Sequence, residues 1–399
     1  MRSLPHLLVS GRQAEPEFEL ATSLAYVASK RKKAGFIRKR PVEQLDFLIK
    51  VLWPLRTLTI DRRTYFFDPL GLFCTTLEIE PLENIREAMQ EISGPIFSTE
   101  EFKTKLEKAQ QQIPDPEVQY KIEGFVPVSI AKDVLRELIE EGEIPGIKLQ
   151  SRISEREFLE KVKGATKVVD QLKWEISEIK GYISSLIGIK DSWEKELKEK
   201  EEQIRRTYET RVEDARRYLG SKAEPEVEKL KAEMESEIRK LKEALEEPLK
   251  VLSSLLERLE AAVYRRESFV KTLEKSAPEG LDLEIPFIIA SLSGKEGRRF
   301  IVIPPSNVSK VGIGGKIKKA FGAMVVPIDA RSPLYERMGS LLEEELHSNI
   351  GFSAQMSEMG KETNLIVKYS DLIMRGITRL RDMEILDEDD ATEVMSMVL

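Results

Sequence analysis

"LGSKAEPEVEKL", Leu219 to Leu230, decides the fold, because here the helical run of residues 154–276 must either turn back or continue. Gly220 suits a left-handed helix end and Pro225 the first turn of a new helix, so the stretch predicts a tip near residues 220–225. Working upstream, "ISEREF" carries a helix start: Ser154 and Glu157 form a capping box, and Ile153 and Phe158 a hydrophobic staple. Apolar residues follow at Val162, Ala165, Val169, Leu172, Ile176, Ile179, Ile183, Leu186, Trp193, Leu197 and Ile204, a heptad pattern interrupted by Lys190 and Lys200. The phase then slips to Tyr208, Val212, Ala215 and Leu219.

Downstream, a second helix from about Glu224 to Ser276 has its seam at Val227, Leu230, Met234, Ile238, Leu241, Leu245, Leu249, Leu252, Leu256, Leu259, Val263, Val270 and Leu273. Pro248 inside it predicts a kink. Each arm has a length on the order of 80–100 Å. Folding about the tip sets Ile183–Leu186 opposite Leu256–Leu259, the most apolar part of each arm, which favours an intramolecular antiparallel hairpin over residues 151–278. The alternative is an intermolecular bundle, with "EISEIKGYISSLIGIKDSW" (Glu175–Trp193) as its partner surface.

The flanks, residues 1–150 and 279–399, mix strands with helices. "RRTYFFDP" (Arg62–Pro69) and "RRFIVIPP" (Arg298–Pro305) share one layout, each ending a strand–turn–strand unit, near 53–69 and near 285–305. A lone two-stranded hairpin is marginal in water, so both are expected together at the base of the arms. Residues 14–30 read as helix, as do "STEEFKTKLEKAQQQI", capped at Ser98, and "SIAKDVLRELIEEG", stopped by Gly142. "PDPEVQYKIEGFVPV" and "AMVVPIDAR" suggest strands, and helix resumes from Pro333. The expected fold class is therefore α+β, predominantly α: small strand-containing heads split by a long antiparallel coiled-coil hairpin.

A head divided by a hairpin resembles the layout of SMC-type proteins, in architecture alone. Their ATPase activity does not carry over. In "SKVGIGGKIKKAFG" the Walker A positions for glycine and Ser/Thr hold Lys310 and Ile317. Prefoldin-like chaperones and rotary-ATPase stalk subunits also have long hairpins, and no motif of theirs is matched.

Composition narrows the chemistry. One cysteine, Cys74, excludes an internal disulfide framework and reads as a small buried hydrophobe. Neither His6 nor His347 has partners at metal-ligand spacing, and His347 reads as a helix-terminal cap. No signal peptide or membrane-length apolar run is evident, so a cytoplasmic protein is expected. Abundant Glu, Lys and Arg with few His and Cys suit a thermophile. The net charge of -7 confines any polyanion contact to local patches. The densest is "SKRKKAGFIRKR", with Lys30, Arg31, Lys32, Lys33, Arg38, Lys39 and Arg40 and no acid. Arg62, Arg63, Arg298 and Arg299 could join it if the hairpins adjoin, and Lys316, Lys318 and Lys319 form a second basic stretch. The competing reading pairs these cations with the chain's own acids. No catalytic constellation, cofactor motif or metal set emerges. The leading expectation is a non-enzymatic scaffold or adaptor working through protein partners or self-association. The alternative is a nucleic-acid-associated protein, of a DNA-maintenance complex for instance, that grips a phosphate backbone through the basic patch.

Overall fold

The computed structural model describes residues 2–34, 40–93, 99–131, 144–309 and 324–399. The chain is α+β and predominantly α, with strand-containing parts divided in sequence by a long antiparallel helical hairpin. It separates into two compact units, residues 1–75, 122–163 and 272–399 in one, and residues 76–121 and 164–271 in the other.

In the first unit, strand Gln44–Ile60 is the spine. It pairs antiparallel with Leu283–Gly294 and continues into a hairpin with Arg63–Phe67, while Leu283–Gly294 forms its own hairpin with Gly297–Ile303. The two hairpins of the sequence thus adjoin in one sheet. Their register shows a structural repeat: Arg63 stands opposite Ile60 and Arg299 opposite Leu292. The pairing of the two long strands is balanced about Trp53 and Ile285, with Pro54 facing Glu284 and Pro286 facing Leu52. The extra residues of the second copy lengthen its hairpin; both turns hold two residues, Asp61–Arg62 and Lys295–Glu296. Asp61 and Arg62 both have positive φ, 46° and 64°, as a tight primed turn requires.

Alternation along the spine serves two cores. Phe47, Ile49, Val51 and Trp53 face a core shared with Phe287, Ile289 and helix Pro333–Ser348. Leu48, Ile288 and Ala290 face helices Pro16–Lys30 and Ser370–Asp382. Those two helices approach closely at Gly376, where an added Cβ would collide with the Glu17 carbonyl oxygen. On the same side lies a buried ion pair, Lys50 to Glu19 at 2.9 Å, and buried His6, which donates from Nε2 to the Ile303 carbonyl at 3.0 Å. Short strands Leu7–Val9, Arg12–Gln13, Ser306–Val308 and Ile328–Ala330 form a second sheet.

The segments flanking the insert bind one strand of the first hairpin and the residues just after it. Arg152 and Ile153 donate backbone N–H groups to the Pro69 carbonyl, Ala277 donates to Thr64, and Thr64 donates to Ser276 Oγ at 3.0 Å. The capping box is present: Glu157 N–H donates to Ser154 Oγ at 3.2 Å, and Ser154 N–H to Glu157 Oε2 at 2.9 Å. The N–H and then the hydroxyl of Ser154, both donating to Glu157 Oε2, hold that carboxyl below its ordinary range.

The second unit contains residues 164–271 of the arms, helices Glu155–Leu219 and Glu224–Glu274, joined by a 3-10 turn at Gly220–Lys222 with Gly220 at φ 53°. Ion pairs Lys180–Glu267, Lys242–Glu201 and Arg211–Glu233 keep one antiparallel register along the hairpin. Ile179, Leu186, Leu256 and Leu259 share one core, as the folding-back argument requires. Within the apolar Glu175–Trp193 stretch the chain itself buries Ile179 and Leu186, while Ile187 stays 42% exposed. Helices Leu82–Ile92, unanticipated from the sequence, and Thr99–Gln112 pack on the arms through Ile85, Met89, Phe102 and Leu106, making a four-helix bundle. Phe102 meets Trp193 with ring centroids 4.5 Å apart. The helix runs through buried Pro248 without a break. Ser98 lies outside the described residues, and of the expected helix at 129–142 only Val128–Ala131 falls within them. Among the described residues, no helix is long and apolar enough to cross a membrane.

Candidate functional site

The seam of the second arm skips from Val263 to Val270, and the heptad step between them lands on Arg266. This arginine is fully buried and ties three elements together. It donates from Nε to Glu175 Oε2 on the first arm at 2.8 Å, from Nη2 to the Glu80 carbonyl at 2.6 Å, and from Nη1 to the Ala262 carbonyl at 3.2 Å. Glu80 Oε2 stands 3.6 Å from the same guanidinium, and Glu80 Oε1 accepts from Arg265. Gln171 Nε2 donates to the other oxygen of Glu175 at 2.9 Å. Two buried carboxylates are thus held by one buried arginine and one half-buried one. Such a network fixes relative position more than it stabilises.

Beside it opens a groove of about 370 Å³, lined by Leu77, Gln119, Tyr120, Arg86, Gln171 and Trp174, with Glu80 and Glu175 at its wall. Trp174 is 55% exposed, and the Arg86 guanidinium lies 4.9 Å from its ring centroid. Arg86 is itself locked by a bidentate pair with Glu178, at 2.7 and 2.9 Å, and Tyr182 donates its hydroxyl to Glu178 at 2.7 Å. The hydrogen bond from Arg86 lowers the Glu178 carboxyl and raises the arginine. Burial, then the bond to Glu178, raises the Tyr182 hydroxyl. The groove therefore offers a rigid aromatic face, a fixed guanidinium and two amide side chains. Those groups recognise; they do not form a nucleophile–base pair.

The basic positions singled out in the sequence fall elsewhere, in the first unit. Lys30 lies over the Tyr26 ring, 5.2 Å from its centroid. Arg31 donates to the Glu43 carbonyl, Lys32 pairs with Glu296, and Lys33 pairs with Glu393 at 2.7 Å. Arg299 grips both oxygens of Glu43 at 2.7 Å and holds that carboxyl below its ordinary range. Arg298 meets Asp46 at 3.3 Å and donates to Ser357 Oγ at 3.0 Å. Arg298, Asp46, Asn364, Lys361 and Lys368 line a cleft of about 440 Å³ together with Phe47 and Val367. Arg40 sits in a two-residue strand paired with Lys33–Ala34. Arg38, Lys39, Lys316, Lys318 and Lys319 lie outside the described residues.

The hairpins adjoin, yet their arginine pairs do not. Because the two long strands are antiparallel, the turns sit at opposite ends of the spine. Arg62 and Arg63 are separated from the Arg299 end by residues 45 to 60 of strand, on the order of 50 Å along the backbone. His347 is exposed near its helix end, with Nδ1 2.7 Å from the Glu343 carbonyl, as a cap would be. Cys74 is half-buried at the start of strand Cys74–Ile79, less enclosed than its apolar neighbours suggest. Among the described residues, no group of three or more His, Cys, Asp or Glu side chains could hold a metal ion. Comparison with protein-family models, with curated proteins and with solved structures finds no match to this chain.

Proposed function

We propose that the protein is a non-enzymatic coiled-coil scaffold or adaptor, and that the groove beside the buried arginine is where its arms receive a partner protein. The observation that carries this reading is Trp174, more than half exposed yet held against Arg86, with Tyr120 and two glutamines on the same groove. Trp, Tyr and Arg concentrate binding energy at protein interfaces, and a pre-positioned aromatic loses little entropy when a partner arrives. The buried Arg266 network supplies the rigid frame such an anchor needs.

The test is co-purification of the full chain from its native cell, comparing wild type with Trp174→Ala. Loss of one or more stoichiometric partners, with the melting temperature unchanged, supports the reading. An identical set of co-purifying proteins sinks it. The alternative, a phosphate-backbone contact through the Lys30–Arg40 stretch, draws less support, because Glu43, Glu296 and Glu393 already engage Arg31, Lys32 and Lys33. A nucleic-acid titration at two salt concentrations separates the two.

A further inference from the structure

At the tip of the hairpin a short run of cations stands without an acid among them. Between Asp214 and Glu224 there is no acid, and the stretch holds Arg216, Arg217 and Lys222. None of the three forms an ion pair among the described residues, although Glu213 stands four residues before Arg217 and Glu226 four after Lys222; along the arms Arg205, Arg206, Lys200 and Arg239 do pair with a glutamate at that spacing. Tyr218 is 82% exposed and Leu219 47%, and Arg216, Arg217, Ser221 and Lys222 are all exposed. A basic last turn complements a helix dipole, which accounts for Arg216 and Arg217. It does not account for Lys222, beyond the helix, or for an aromatic and an aliphatic side chain left in water on an otherwise polar stretch of arm.

We propose that this tip, residues 216–222, is a docking element for an acidic surface of a partner protein, with Tyr218 and Leu219 entering an apolar depression and the three cations meeting its carboxylate rim. Charge complementarity selects the partner: a compact, unpaired cationic cluster carried by a chain of net charge -7. A membrane surface fits less well, since interfacial helices need a long apolar face and the arms turn theirs toward each other at Val227, Leu230 and Ile238. Nucleic acid fits less well too, because three cations make few of the phosphate contacts that such binding accumulates. The inference rests on the scaffold reading for the existence of a protein partner, but on different residues.

The experiment places a photo-crosslinking phenylalanine derivative at Ser221 of the full chain and irradiates it in extract of the native cell. The extract is held at about 0.05 M and about 0.5 M salt, where screening lengths differ severalfold. The crosslinked peptide is then sequenced. The expected adduct is to a protein segment rich in Asp and Glu. Its yield falls about tenfold at the higher salt, and equally in Arg216→Glu/Arg217→Glu and in Tyr218→Ser, with melting temperatures unchanged. An adduct to a non-acidic segment, to lipid or to nucleic acid overturns the proposal, as does a yield indifferent to charge reversal or the absence of any adduct. Partner loss in Trp174→Ala with tip adducts unaffected would leave both standing; partner loss there without tip adducts would remove only the tip.

Discussion

Replacing His6 by glutamine should change how stability depends on pH, by an amount the structure allows to be worked out. His6 is fully buried, donates from Nε2 to the Ile303 carbonyl, and has no hydrogen-bond partner at Nδ1. Burial, reinforced by Lys50 and Arg331 and opposed by Glu19 and the Ile303 bond, lowers its pKa from 6.5 to about 4. Between those values the unfolded chain takes up a proton that the folded chain refuses, so stability is full above pH 6.5 and is lost as pH falls toward 4. Lowering the pH from about 7.5 to about 5 should cost the wild type about 2 kcal/mol through this one group. Asp68 acts in the opposite sense. Burial raises it from 3.8 to about 6 against its hydrogen bonds from Phe73, Leu70, Trp53 and Leu72. Its term is therefore present at low pH and lost as pH rises through 6, giving back about 1.5 kcal/mol over the same interval. The wild type should lose a net of only about 0.5 kcal/mol, whereas His6→Gln should gain about 1.5. Carboxyls lowered by ion pairing, such as Glu43 and Glu267, lose their contribution below pH 4.5 and stay outside this window. Urea unfolding followed by Trp53 emission, in a background with Trp174→Phe and Trp193→Phe, reports the first unit alone. Parallel pH profiles for wild type and His6→Gln, within about 0.5 kcal/mol, would refute the reasoning.

Arg266→Met leaves Glu80 and Glu175 buried without their shared cation and should cost about 3–5 kcal/mol by helical circular dichroism in urea; adding Glu80→Gln and Glu175→Gln should restore most of it. Asp68→Asn turns an amide group toward N–H donors that now meet carboxylate oxygens, those of Trp53, Leu70, Leu72 and Phe73. A loss of about 1.5–3 kcal/mol in urea unfolding followed by Trp53 emission is expected. Two glycines should respond oppositely in thermal melts. Gly376→Ala drives a methyl into the Glu17 backbone and should destabilise by about 1–3 kcal/mol, while Gly181→Ala, on an arm with nothing within 4 Å, should stabilise by about 0.5–1 kcal/mol.

Much of the hairpin was legible because its signals are local or periodic. The capping box at Ser154, the glycine at the tip and the equal spacing of the two apolar patches each constrain structure within a few turns of helix. What covers those patches was not legible. Periodicity says that Ile179 and Leu186 are buried, and is silent on whether another chain or helices Leu82–Ile92 and Thr99–Gln112 bury them. The candidate groove was hidden for a related reason. Its frame depends on Arg266, and an arginine in a seam reads as an interruption until its carboxylate partners, far off in sequence, are in place. A trace was present all the same, since the seam on either side of Arg266 keeps perfect heptad phase. The basic patch shows the converse. Composition marked Lys32, Lys33 and Arg299, and only the fold could bring Glu296, Glu393 and Glu43 to them.

The repeat explains why one layout could be kept while its parts took different tasks. Two hairpins placed symmetrically about Trp53 and Ile285 present equivalent positions to different neighbours, because helices Pro16–Lys30 and Pro333–Ser348 cover opposite faces and the insert follows only the first copy. Arg299, in the second copy, faces Glu43 and fastens the strand edge; its counterpart Arg63 closes the turn at the other end of the spine. Asp68 of the first copy gathers four N–H donors, and its counterpart is Pro304, which has no such capacity. Asp68 is followed by Pro69, whose carbonyl takes the backbone N–H groups of Arg152 and Ile153 just before the first arm begins. The acid therefore stands where the chain holds an irregular segment ahead of a long helix. The copy that launches no insert has a proline there instead.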